Sequence, residues 1–313
     1  MPTIRAVVAD PATPGFLSIQ SIEAPVPTAN QALVRVAAIS LNRGETRRAL
    51  TSTERWVPGW DFGGVVERAA ADGSGPKAGQ RVVGILATGG WAELVAVPAD
   101  QLAVLPDNVT FAQASTLPVA GLTALFALEK NGSLLARRVL VTGASGGVGH
   151  LGIQLAVAAG AHVTAQVRQA AHAAFVKAAG AHEAVVGELA AAPNAGRFHL
   201  VVESVGGVTL SQALAALAPG GACVTLGVSA STEATIDLRS FFNTGRTAYY
   251  GFSLFREFGR NPANEGLARL AALVSDGRLK PHIDIEVSWT EIGAVAKRYV
   301  DRQFPGKAVL LVS

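Results

Sequence analysis

"VTGASGGVG", Val141 to Gly149, lies near the middle of a 313-residue chain, and four of its nine residues are glycine. "RRVLV" precedes it and "HLGIQLAVAAG" follows it. An apolar strand therefore enters the stretch and an apolar helix leaves it. A turn this tight needs residues free of the Cβ restriction on φ. The start of the helix presents N–H groups without intrahelical partners and the positive end of its dipole. A diphosphate is a suitable ligand for that surface. Gly146 lets the backbone approach such a ligand, and Gly149 lets the helix lie close to the strand. The register Ala144-x-Gly146-x-x-Gly149 is a dinucleotide fingerprint with alanine in first place.

The surroundings carry the same reading. Downstream of about residue 110, helical runs appear in "TFAQASTLPVAGLTALFALEKNG", with a break at Pro118. Strands are then expected near 138–142, 162–167, 183–186, 199–203, 222–227 and 247–252. "GHLGIQLAVAAG", "AAHAAFVKAAG" and "TLSQALAALAPGG" fill gaps as helices. Strand–helix alternation with nearly all-apolar strands predicts a parallel sheet covered on both faces. Upstream, "QALVRVAAISLN", "FGGVVERAA", "QRVVGIL" and "AELVAV" read as short strands punctuated by Gly and Pro, a small barrel-like β domain. In the tail, "NEGLARLAALVSDGRL" is a helix ending at Gly277, followed by "IDIEVSW", a helix "EIGAVAKRYVDR" and "GKAVLLV". That last apolar strand needs a partner, and the front β domain is its natural host. The α/β unit is then an insertion into the β domain.

An acidic residue about 20 positions after the glycine turn would hold the ribose 2′-hydroxyl of NAD. This chain has Gln166 there and Arg168 two residues on. A guanidinium can pair a 2′-phosphate through two hydrogen bonds, and no carboxylate repels it, so NADPH is the expected cofactor. The six histidines lie at 150, 162, 172, 182, 199 and 282, and the single cysteine is Cys223. Residues 1–149 thus hold neither Cys nor His, and no residue is assigned to a metal. The three tyrosines, at 249, 250 and 299, also lie outside the front domain.

Half of the residues are hydrophobic and 16% are charged, which describes a compact chain rather than a disordered one. The net charge is +3, with no stripe suited to nucleic acid. Arg43, Arg47 and Arg48 form one local basic group, readable as a solvated helix face or as a neighbour of an anion. No apolar run suits a membrane span, the N-terminus lacks a signal-peptide layout, and a cytoplasmic location is expected. Cys223, in "GGACVTLG", is expected to be buried.

Across nearly its whole length the chain resembles the zinc-free quinone oxidoreductase family (zeta-crystallin-like) of the medium-chain dehydrogenase/reductase superfamily. The resemblance rests on "VRVAAISLNRGE" (34–45), "PGWDFGGVV" (58–66), "AGQRVVG" (78–84), "GGWAELVAVPA" (89–99), "GLTAL" (121–125), "VTGASGGVG" (141–149) and "GKAVLL" (306–311). It implies an α/β fold: a GroES-like β-barrel catalytic domain, residues 1–117 and 261–313, with an inserted Rossmann dinucleotide-binding domain, residues 118–260. It further implies NADPH as cofactor and a homodimer. Zinc-containing relatives would carry cysteine at Asn42 and a His-Glu pair at Trp60 and Asp61. By resemblance, Asn42, Trp60 and Asp61 form the substrate and nicotinamide pocket, with no proton donor assigned. The resemblance places Asn42 beside the nicotinamide ribose or the substrate, and Thr123 within hydrogen-bond reach near the nicotinamide. Gly227, Val228 and Ser229, with Phe252, Ser253 and Leu254, line it, and Lys307 adds a cofactor contact. Ala144, Ser145, Gly146, Gly147, Val148 and Gly149 hold the diphosphate, and Arg168 the 2′-phosphate. His172 and Gly187 stand where many relatives have a lysine and a tyrosine near the adenosine phosphate, and Glu45 replaces a usual aspartate. The expected activity is hydride transfer from NADPH to a quinone or similar conjugated carbonyl, a small-molecule substrate. The alternatives are an enoyl or alkenal double-bond reductase and a non-catalytic NADPH-binding protein.

Overall fold

The computed structural model describes residues 2–189 and 197–313. The chain divides into two compact units, each treated by itself. The first holds residues up to Leu122, Phe258–Gly277 and Pro281–Ser313; the second holds Thr123–Glu257 and Arg278–Lys280.

The first unit opens with an antiparallel hairpin, β1 (Thr3–Ala9) on β2 (Leu17–Glu23). Its main sheet contains β3 (Gln31–Ser40), β4 (Asp61–Arg68), β5 (Arg81–Ile85), β6 (Leu94–Pro98), β7 (Leu102–Val104), β14 (Ile283–Ser288) and β15 (Lys307–Leu311). The order is β14-β15-β3-β4-β5-β7, with β6 also paired to β3. The long strand β3 is the hub, because it pairs antiparallel with β4, β6 and β15. Helix α1 (Arg43–Leu50) follows β3 directly. Phe62, Trp91 and Trp289 are fully buried in the core with aliphatic residues of the strands and of α10 (Ile292–Val300). The helices α2 (Phe111–Ser115) and α9 (Ala263–Ser275) complete this unit. Helix α3 (Pro118–Leu128) starts at the expected proline, where a missing N–H does no harm.

The second unit is a six-stranded parallel sheet of β8 (Arg138–Val141), β9 (His162–Val167), β10 (Glu183–Val186), β11 (Phe198–Glu203), β12 (Leu217–Thr225) and β13 (Ala248–Gly251). The order is β10-β9-β8-β11-β12-β13. The chain winds outward from β8 to β10 and then returns to lie beside β8 as β11. That reversal between β8 and β11 is the switch point at which open α/β sheets bind ligands, outside the carboxyl ends of the strands. Among the helices, α4 (Gly147–Ala158), α5 (Ala173–Ala178) and α6 (Gly207–Ala215) each connect successive strands. The shorter α7 (Leu238–Thr244) precedes β13 and α8 (Leu254–Glu257) follows it. Leu140, Val201 and Cys223 are buried in this core, and burial pushes the Cys223 thiol up to about 12.

Three details depart from the sequence reading. Strand β12 begins at Leu217, ahead of the expected 222, and takes in the Pro219-Gly220-Gly221 segment that the sequence pattern gives to the preceding helix. Pairing along β11 overrides the local turn chemistry there, and the pairing register shifts between Phe198 and Leu200. The seven-residue strands β1 and β2 form a hairpin that the sequence reading does not single out, because its loop holds the Pro and Gly residues that read as irregular chain. Contacts part the chain at Leu122/Thr123 and Glu257/Phe258, several residues from the boundaries expected at 117/118 and 260/261. Among the described residues, no helix is long and apolar enough to cross a membrane.

Candidate active site

The glycine stretch lies at the carboxyl end of β8. Helix α4 takes Gly146 as its N-cap, with φ −82° and ψ 170°, so no side chain caps its first amides. Other helices here are capped: Thr110 accepts from the Gln113 N–H on α2, and Asp237 from the Arg239 and Ser240 N–H groups on α7. The first-turn N–H groups at Gly147, Val148 and Gly149 have no intrahelical acceptor. Ser145 through Val148 are partly exposed, whereas Ala144 and Gly149 are buried. A Cβ on Gly149 would lie 2.6 Å from the Ala144 Cα, so this glycine serves packing. A Cβ on Gly146 would meet only the Gly143 carbonyl oxygen, at 3.4 Å. Packing within the protein does not require glycine there, and the room that its missing side chain leaves suits a ligand drawn up to the backbone.

Neighbouring strands hold this turn. The Gln166 side chain accepts from the Gly143 N–H at 3.2 Å and donates to the Gly187 carbonyl at 2.7 Å. Its backbone carbonyl accepts from the Ala144 N–H at 3.0 Å. Gln166 therefore ties β8, β9 and β10 together at their carboxyl ends, a role that residue spacing does not signal. Arg168, just past β9, is exposed and has no hydrogen bond or ion pair among the described residues. At the switch point, buried Glu203 accepts from the Val205 and Gly206 N–H groups and from the Thr142 hydroxyl, at 2.7, 3.0 and 3.2 Å. Burial raises the Glu203 pKa, and the two backbone donors oppose that shift. A carboxyl ending the apolar strand "FHLVVE" was the available signal for it.

Thr225 pairs with Gly251 across β12 and β13, so segments 227–229 and 252–254 leave the sheet on the same edge as the glycine turn. The Phe252 N–H bonds the Thr225 carbonyl at 2.8 Å. Behind that segment, Lys130 Nζ lies 2.5 Å from Glu257, and the Tyr250 hydroxyl donates to Glu257 at 2.6 Å. Lys130 also stands 4.7 Å from the Tyr250 ring centroid and 5.9 Å from that of Phe252. This cluster fixes α8 to its own unit and was invisible in the sequence. Thr123 is buried in α3, and its hydroxyl makes no hydrogen bond among the described residues.

In the first unit, register brings the remaining predicted residues together. Ser40 pairs with Asp61 across β3 and β4 and with Val309 across β3 and β15. The end of β3, the start of β4 and the start of β15 thus meet at one point. Lys307 Nζ donates to the Leu41 carbonyl at 2.7 Å, to Asn42 Oδ1 at 2.6 Å and to Asp61 Oδ2 at 3.4 Å. Asn42 Nδ2 donates to Glu45 Oε1 at 2.9 Å and to Asp61 Oδ2 at 2.7 Å. The Val119 N–H donates to Asp61 Oδ1 at 2.9 Å. Asn42, Glu45, Asp61 and Lys307 are all buried. Burial, reinforced by the Asp61 charge, pushes Glu45 well above the usual carboxylate range. Asp61 is raised by burial too, against the opposing charge of Lys307. Trp60 stands apart from this cluster: it is half-buried, its ring covers Gly44 and its indole N–H bonds the Ala87 carbonyl.

A dinucleotide-binding parallel sheet and a β unit formed from both ends of the chain define a medium-chain dehydrogenase/reductase. Residues 28–107 match the alcohol dehydrogenase GroES-like domain, and residues 147–271 match the zinc-binding dehydrogenase family. A chloroplastic quinone-oxidoreductase homolog of Spinacia oleracea is 33% identical over 66% of this chain and 68% of its own. The quinone oxidoreductase structure from Coxiella burnetii superposes with a TM-score of 0.85 at 26% identity, covering 100% of both chains. A mycobacterial structure complexed with NADPH gives a TM-score of 0.86 at 25% identity, over 98% of this chain and 99% of that one. The chain belongs to the quinone oxidoreductase family of that superfamily, and it is an oxidoreductase. Its donor set does not fit the zinc in the second family's description. Asn42 offers an amide, an ammonium fills the space beside Asp61, and no cluster of three His, Cys, Asp or Glu suited to a metal exists among the described residues.

Proposed function

We propose that the chain is an NADPH-dependent, zinc-independent reductase that delivers hydride to a quinone or a similar conjugated carbonyl. The observation that carries this reading is the uncapped first turn of α4 at the switch point, with space over Gly146. The amides of Gly147, Val148 and Gly149 would hold the diphosphate, where the helix dipole favours negative charge. Arg168, exposed and unengaged among the described residues, would pair the 2′-phosphate. Within the second unit, the segments 227–229 and 252–254 and the Thr123 hydroxyl would fix the nicotinamide; within the first, Asn42 and Trp60 are the proposed ligand contacts. When bound, NADPH supplies the hydride; the protein contributes orientation and exclusion of water. A reduced quinone takes its protons from water, so no acid on the protein is required.

The protein would act as a homodimer. Among the described residues, edge strand β13 has no partner on its outer side, Tyr249 on it is half exposed, and Leu238 and Phe242 of α7 are 58% and 69% exposed. A second copy would cover this edge, and Phe242→Glu should shift the mass in light scattering from dimer to monomer.

The test is NADPH oxidation by purified protein with a small quinone, with and without a chelator. Turnover that survives chelation is expected. No turnover with any quinone or enone, or loss under chelator that zinc restores, would overturn the reading. A higher rate on an α,β-unsaturated ketone than on a quinone would favour double-bond reduction.

A further inference from the structure

Strand β11 lies between β8 and β12 in the parallel sheet. Loop 204–206 leaves its carboxyl end, so it stands between the glycine turn after β8 and segment 227–229 after β12. It is bonded to both sides. Toward the turn, the Ser204 N–H donates to the Thr142 hydroxyl at 3.0 Å, and the Ser204 hydroxyl donates to the Thr142 carbonyl at 3.1 Å. Gly143, at φ +56°, approaches so closely that a Cβ on it would lie 2.5 Å from Ser204 Oγ. Toward segment 227–229, the Ser229 N–H donates to the Ser204 carbonyl at 3.2 Å and the Ala230 N–H to the Val205 carbonyl at 2.8 Å. Gly206 pairs with Ser231, and a Cβ on it would lie 2.1 Å from the Ser231 carbonyl oxygen.

Glu203 fixes the shape of this loop. Its Oε1 takes the Val205 and Gly206 N–H groups and the Thr142 hydroxyl. The same hydroxyl receives the Ser204 N–H, so carboxyl, hydroxyl and loop backbone form one closed network. Oε2 is buried with no partner among the described residues, and no basic side chain is among the groups that shift the acid. Burying a carboxyl is costly unless its acceptors are used. All the use made of this one goes to Thr142 and to the loop. The carboxyl therefore holds the loop at one setting against the two segments that flank it.

We propose that Glu203 is a positioning residue: through loop 204–206 it sets the separation between the α4 turn and segment 227–229, and with it the fit of a whole dinucleotide rather than of its adenosine half. This rests on the reading that the turn holds the diphosphate and segment 227–229 the nicotinamide.

Two ligands distinguish this role from a general loss of structure. NADPH would span both segments, whereas adenosine 2′,5′-bisphosphate would reach only the turn and its neighbours. Glu203→Met removes the acceptor at similar side-chain size. Its NADPH Kd should rise about tenfold, as for loss of one charged hydrogen bond, while the bisphosphate Kd stays within about threefold of the parent. Glu203→Gln keeps an oxygen for the same donors and should return the ratio of the two Kd values to within about threefold of the parent. Equal weakening of both ligands, weakening of neither, or a Gln variant as impaired as Met would overturn the role. If Glu203→Met does not fold, Thr142→Val decides. It deletes the hydroxyl that joins Glu203 to the Ser204 N–H and keeps the side-chain shape, so the ratio should move the same way; an unchanged ratio would overturn the proposal. Failure of the functional reading is recognised separately, as a parent protein that binds neither ligand.

Discussion

Gly146→Ala separates ligand binding from folding at the glycine turn. The backbone there, φ −82° and ψ 170°, suits alanine, and the added Cβ would meet only the Gly143 oxygen at 3.4 Å. Alanine is a poorer N-cap than glycine, while its narrower unfolded ensemble stabilises by about 0.4–1 kcal/mol. The net change in stability should lie within about 1 kcal/mol, or about 2–4 °C in Tm. For NADPH the methyl stands where the diphosphate has to approach the amides. Loss of two charge-assisted hydrogen bonds, at about 1.5 kcal/mol each, totals about 3 kcal/mol. That corresponds to a roughly hundredfold weaker Kd. Thermal melts without cofactor and titration of NADPH fluorescence read the two quantities. A variant with parental Tm and a Kd within about threefold of the parent would refute diphosphate binding at this turn. Gly149→Ala is the contrast: its Cβ would lie 2.6 Å from the Ala144 Cα and 2.9 Å from its carbonyl, with backbone that cannot yield. Tm should then fall without cofactor, by an overpacking cost of about 1–3 kcal/mol.

Arg168→Asp should weaken NADPH by about 10–100-fold, the worth of charged hydrogen bonds, and NADH far less; equal effects on both would remove the 2′-phosphate contact. Lys130→Met should remove the Lys130–Glu257 contact and the ammonium beside the Tyr250 ring and lower Tm, and Glu257→Gln in the same chain should recover part of the loss. Cys223, buried with its thiol pushed up to about 12, should resist alkylation at pH 8 in the native protein and react once unfolded. Glu45 gives stability a pH dependence of known sign. Its folded pKa lies above the unfolded one, so its contribution is complete below the unfolded value, near 4.5, and is lost as pH rises through the folded one. Stability should therefore decline from mildly acid to alkaline pH, and Glu45→Gln should flatten the profile.

What the sequence by itself determined is written in local chemistry. Strand and helix alternation follows from apolar periodicity, and the strands at 162–167 and 183–186 fall where their apolar runs do. The glycine turn between β8 and α4 was legible because glycine between an apolar strand and an apolar helix changes what the backbone can do. The lack of Cys and His in residues 1–149 likewise spoke directly about metal ligands. The tertiary structure alone decided how side chains were spent. Asn42 and Lys307 stand 265 positions apart and meet because β15 pairs with β3; Lys130 and Glu257 meet across 127 positions. Gln166 stands where an acidic residue would face a ribose, and the structure alone shows that its amide stitches Gly143 to Gly187. How far each buried carboxyl is shifted depends on burial and on where one ammonium points. Both are properties of packed neighbours from distant segments, and no spacing along the chain encodes them.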